Sequence, residues 1–217
     1  MVCFTKIKGF LMKKMFVFLL LCLMTLTPFA WAVKEANDYI AAGNKLATEK
    51  KYNEAVKQYE EALKIDPKNN QISLILGLAY ANTGALDEAL KYTNLAAKTE
   101  PSYTAFYNLG LIYAAMRDTE KSIEAFNRAL SFNPDSSAAE YRKGLVYSEA
   151  KAYEKAAGSF GRALTLNPQL DEARVGLVGA YLKLNNRAGA LNQVEEFRKM
   201  KKDDFANILE ARIKERT

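Results

Sequence analysis

Any chemistry done by this chain has to be done without imidazole: its 217 residues include no histidine, and both cysteines, Cys3 and Cys22, fall within the first 32 positions. Beyond that segment only carboxylates, amines, phenols and hydroxyls remain, which excludes thiol nucleophiles, imidazole bases and the common zinc and haem ligand sets. The carboxylates Glu60, Glu61, Asp87, Glu88, Glu195 and Glu196 fall on the solvated faces or in the first turns of predicted helices, so no catalytic residue is assigned. No cofactor or metal is expected, and the chain reads as no enzyme. Gly84, Gly158, Gly161 and Gly189 follow no predicted strand and make no phosphate-binding pattern. The densest basic cluster is Arg198, Lys199, Lys201 and Lys202, followed at once by Asp203 and Asp204. A helix end favouring cations near its C-terminus accounts for it, and no nucleic-acid partner is expected.

The positioning elements announce themselves by period. Pro67, Pro101, Pro134 and Pro168 stand 34, 33 and 34 residues apart. Each closes the same series: Gly43, Gly77, Gly110 and Gly144, then Leu46, Tyr80, Tyr113 and Tyr147. Ala55, Ala89, Ser122 and Ala156 follow, then Ala62, Ala96, Ala129 and Ala163. A fifth copy keeps Tyr181 and Ala190 but has Val178 at the glycine and Lys202 at the proline. Period, residue types and offsets resemble the tetratricopeptide repeat, a 34-residue helix–turn–helix unit. The reading is an all-α, right-handed α-solenoid over 33–217, with five repeats near 36–69, 70–102, 103–136, 137–170 and 171–202. A capping helix over 203–216 ends it, with Asp203 and Asp204 as its caps and Phe205, Ile208, Leu209 and Ile213 on one face. Small residues let paired helices approach, and stacking buries what one unit cannot. The residue missing after Pro101 shortens one inter-repeat loop, and Val178 with Phe197 suggests a loosened fifth pair.

The resemblance implies a function class as well. Members of this family bind partners on the exposed face of their first helices, and that face, transferred by offset from each glycine, selects Ile40 and Asn44, Leu74 and Leu78, Tyr107 and Leu111, then Tyr141 and Leu145. Asn108 and Arg142 lie beside them as polar orienting groups. Leu74 and Leu78 equally suit packing between neighbouring first helices. Better-known members grip a C-terminal carboxylate with lysines, asparagines and an arginine; Asn44 matches, but Ile40, Ile75, Thr104 and Asn108 do not, so that clamp is not expected. The partner is expected to be a protein or peptide with apolar anchors. An envelope polysaccharide or peptidoglycan stacking on Tyr107 and Tyr141 is the alternative, and self-association through the first repeat a further one.

Residues 1–32 read as an address. Lys6, Lys8, Lys13 and Lys14 precede the apolar run Met15–Met24, and Ala30-Trp31-Ala32 offers small residues where a signal peptidase reads. Cleavage after Ala32 is expected, with Met12 an alternative start, giving a periplasmic or secreted protein that serves envelope assembly. An uncleaved membrane anchor is the competing reading; lipidation at Cys22 is disfavoured by Leu21 before it. The net charge of +6 owes four lysines to this segment, leaving 27 basic against 25 acidic residues beyond it.

Overall fold

The structure is a computed structural model that describes residues 33–215; the signal segment lies outside them. The described residues are helical throughout, with no strand: α1 (33–48), α2 (Tyr52–Ile65), α3 (Asn70–Thr83), α4 (Leu86–Thr99), α5 (Tyr103–Ala115), α6 (Thr119–Phe132), α7 (Ser137–Glu149), α8 (Tyr153–Leu166), α9 (Asp171–Lys183), α10 (Arg187–Lys199) and α11 (Asp203–Lys214). They divide into two compact units, one ending at Ala85 and one beginning at Leu86. In the first, α2 packs on α3; in the second, α4 to α11 pack in sequence, most closely as α5 with α6 and α7 with α8.

Two kinds of turn alternate. After each first helix the chain closes a Schellman motif: Lys51 N–H bonds Leu46 C=O at 2.9 Å, and Lys50 N–H bonds Ala47 C=O at 3.0 Å. The same paired bonds recur at Gly84–Ala85, Arg117–Asp118, Lys151–Ala152 and Asn185–Asn186. The pivot residue is left-handed each time, with φ of 60° at Lys50, 62° at Arg117, 59° at Lys151 and 55° at Asn185; glycine fills that position at Gly84 alone. The second kind is the proline loop. Asn69, Ser102 and Ser136 each cap the following helix by accepting a backbone N–H. The loop holding Pro101 is one residue shorter than its equivalents, as the spacing requires, and Ser102 spans the gap with φ −151° where Asn69 and Ser136 hold −77°.

A left-handed lysine is strained in a way that glycine is not. Lys151→Gly is expected to stabilise the protein by about 0.5–1 kcal/mol, the relief outweighing the greater freedom glycine gives the unfolded chain. Urea unfolding checks it: the midpoint should rise with the slope unchanged.

The glycine column sets how near the two helices of a pair lie. A Cβ built on Gly110 would stand 2.6 Å from the Phe126 ring, and one on Gly43 2.5 Å from Tyr59. Phe160 is held from both sides, since a Cβ on Gly144 of α7 or on Gly176 of α9 would each come within 2.7 Å of its ring. The fifth copy solves the same problem differently. Sixteen residues after Val178, where the others place Tyr59, Phe126 and Phe160, stands Val194, and both valines are buried with Ala190 and Phe197. Bulk has moved from one helix to the other, and α9 and α10 accordingly lie less closely along each other than α5 and α6.

At the end of the chain the Schellman turn recurs where a proline loop would stand, with Lys202 N–H on Phe197 C=O at 3.0 Å and Lys201 at φ 59°. Helix α10 therefore serves as second helix to α9 and as first helix to α11. Lys202 occupies the N-cap of α11 and makes no side-chain cap bond, so Asp203 and Asp204 sit one step inside and act through the helix dipole. Ala206, Leu209 and Ile213 are buried, whereas Phe205 and Ile208 stay half-exposed to solvent.

Candidate functional site

The first-helix face differs between the units. In the first, Ile40 and Leu74 are half-buried, Leu78 is 40 % exposed, and Asn44 is exposed. The Asn44 side-chain oxygen accepts the Tyr59 hydroxyl at 2.8 Å, which fixes the amide's direction. Burial pushes the Tyr59 phenol above its ordinary range, so it stays a donor.

In the second unit the face forms a groove between α5 and α7. Leu111, Ala114, Arg142, Leu145 and Glu149 line a depression of about 220 Å³ whose floor includes Phe126. Tyr107 and Tyr141 are half-buried beside it. Each ring rests on the aromatic of its own pair: Tyr107 edge-on to Phe126 at 5.7 Å, and Tyr141 tilted against Phe160 at 5.9 Å. Tyr103 stacks on Tyr107 at 5.4 Å. The Arg142 guanidinium lies 5.9 Å from the Tyr141 centroid and is exposed. Apolar walls with one cation at the lip can hold a side chain and orient it. No pair of groups here could exchange a proton with a substrate, and among the described residues no three ligands gather for a metal.

Asn108 does not join this groove. It is 7 % exposed, because its column faces the preceding second helix: the register that sets Gly176 against Phe160 sets Asn108 towards Thr93, which is also buried. The orienting role expected for it falls to Arg142. Conversely, the stripe runs one repeat further than the sequence reading took it. Val175, Gly179 and Leu182 of α9 line a second depression with Leu209, Arg212 and Glu215 of α11. Counting 34 residues on from Tyr141, Leu145 and Ser148 would have found them.

The basic cluster near the end of α10 is largely consumed by pairing. Arg198 contacts Glu195 and Glu210, Lys199 bonds Glu196 at 2.6 Å, and Lys202 reaches back to Asp171. It offers no open cationic surface of the kind a polyanion needs.

Profiles of the tetratricopeptide repeat match residues 43–84, 103–136 and 147–213, together more than half of the chain. The chain belongs to the tetratricopeptide repeat family. Its fold is the all-α solenoid of that family, shared with the crystal structure of the MamA protein at TM-score 0.68 and 25 % identity, over 79 % of this chain and 94 % of that one. YrrB, described as a repeat protein with an unusual peptide-binding site, superposes at TM-score 0.64 with 20 % identity over 85 % of this chain and 97 % of its own. Among curated proteins the Hsp70-Hsp90 organizing protein of Triticum aestivum is 29 % identical over 48 % of this chain and 18 % of its own length. The small glutamine-rich tetratricopeptide repeat-containing protein 2 of Saccharomyces cerevisiae is 30 % identical over 48 % of this chain and 30 % of its own. The match thus spans under a third of either curated relative. Repeats of this family serve protein–protein interaction, and that coarse role applies here.

Proposed function

We propose that the chain is an exported, non-enzymatic scaffold that holds a protein or peptide partner on its first-helix face, in bacterial envelope assembly. The observation that carries this reading is the α5–α7 groove, where Leu111 and Leu145 offer apolar walls beside half-buried tyrosines and an exposed Arg142. The relatives support it as a class: one is named for organising Hsp70 and Hsp90, and another for a peptide-binding site. Export rests on the pattern of residues 1–32. Among the described residues no helix is long and apolar enough to cross a membrane.

Each well-buried anchor contributes about 1.5–3 kcal/mol, while association costs at least about 4 kcal/mol. A few anchors therefore give micromolar, exchangeable capture, which suits an assembly factor better than a permanent subunit. Replacing Tyr107 and Tyr141 together with alanine is expected to lower partner capture from envelope extract at least tenfold. Far-UV circular dichroism should remain helical, with a modest fall in Tm because both rings touch core phenylalanines. Unchanged capture overturns the groove. Binding to peptidoglycan or polysaccharide in place of protein overturns the partner class, and recovery of the intact protein solely from cytosol overturns export.

A further inference from the structure

The repeats can be compared with one another at a second groove, between successive second helices. On the first helix of each pair, four residues before the glycine column, stand Phe106, Glu140 and Arg174; on the second helix, Arg128, Arg162 and Glu196 hold equivalent places, 34 residues apart. In the α7–α8 pair the Glu140 carboxylate is fully buried, with Lys143 Nζ and Arg162 Nε each 3.0 Å away. In the α9–α10 pair the signs are exchanged. Arg174 is buried and Glu196 answers it, its carboxyl held below its ordinary range by Lys199 first and Arg174 further.

The α5–α6 pair breaks the pattern. Phe106 stands where Glu140 would, and the Arg128 guanidinium lies 4.0 Å over its ring. Around it opens a cavity of about 340 Å³ with Phe106 and Leu109 on the floor and Lys98, Lys121 and Arg128 on its walls. Lys121 already holds Asp118 at 2.8 Å. Glu124 shares the wall one turn before Arg128, yet no carboxylate among the described residues pairs with Lys98 or Arg128. The cavity lies beside the shortened Pro101 loop, on the opposite flank of α5 from Leu111.

We propose that this cavity, between α4 and α6 over α5, binds a carboxylate carried on an apolar or aromatic body. The carboxylate takes the place that Glu140 fills one repeat later, between Arg128 and Lys98, and the body lies on Phe106 and Leu109. The inference stands apart from the α5–α7 groove and does not depend on it.

Backbone NMR titration of the full chain with 3-phenylpropionate tests it, with 3-phenylpropanamide as the uncharged control. Two peptides separate the sources of such a group: one ending in a free phenylalanine carboxylate, and one amidated peptide with phenylalanine beside glutamate. The acids should shift the amides of Ala97, Phe106 and Ala125, and the control should not. Arg128→Gln should weaken the acids at least tenfold. Phe106→Glu should abolish their binding while the helical spectrum persists, because the repeat then supplies its own carboxylate. Tighter binding of either peptide supports a protein ligand at this site; tighter binding of the small acid supports the site with a metabolite-sized ligand. Equal shifts from acid and amide, or acid binding untouched by Arg128→Gln, overturn the proposal.

Discussion

Phe160→Ala is expected to destabilise the protein by about 3–5 kcal/mol, the range for emptying a well-packed aromatic site. The ring is 1 % exposed and is gripped by Gly144 and Gly176, from successive first helices. Its removal therefore loosens two interfaces at once. Gly144→Ala should cost about 1–3 kcal/mol by the opposite fault, because the new methyl meets a ring that cannot retreat. The two faults should cancel in part. Gly144→Ala combined with Phe160→Leu should be less damaging than the sum of the singles, with a coupling of about 0.5–3 kcal/mol. Chemical unfolding of the four proteins measures it. Simple additivity would mean that the glycine column is not what sets helix spacing. The fifth copy argues against that, since it pairs Val178 with Val194 where glycine pairs with an aromatic elsewhere.

Glu140→Ala carries the second large effect, also about 3–5 kcal/mol, because it strands a buried charge. Both ion pairs of Glu140 run at angles too oblique for hydrogen bonds, so the carboxylate has charge partners without bonded ones. Lys143 is the partner that suffers. Its side chain is 12 % exposed, while that of Arg162 is 71 % exposed and can return to water. Replacing both members of the buried pair, as Glu140→Met with Lys143→Met, should recover most of the loss. A double mutant no better than Glu140→Ala would show that the site needs its carboxylate for something other than burial.

Much of this was legible in the letters, because period alone locates the helices, the proline loops and the glycine contacts. The aromatic column of Tyr59, Phe126 and Phe160 obeys the same period, and the glycines needed it as their counterpart. Three features were hidden for physical reasons. The left-handed turn positions carry Lys50, Arg117 and Lys151, which give no glycine signal, and the turn is enforced by its paired hydrogen bonds. Glu140 and Arg174 look like surface charges until the neighbouring helix covers them. Asn108 looks like a groove residue by type, but its column turns towards the preceding repeat. Val178 did signal a looser fifth pair; its compensation by Val194 became apparent only once the two helices were set side by side.

The central claim, that the first-helix face of the second unit receives a protein partner, is tested most directly by photo-crosslinking in intact cells. A benzoylphenylalanine at Leu111, inside the α5–α7 groove, is compared with one at Leu166, 37 % exposed on the second helix α8. The expected result is a discrete protein adduct from position 111, lost when Tyr141 is also replaced by alanine, and none from position 166. Adducts of equal yield at both positions, or at 166 alone, would contradict it.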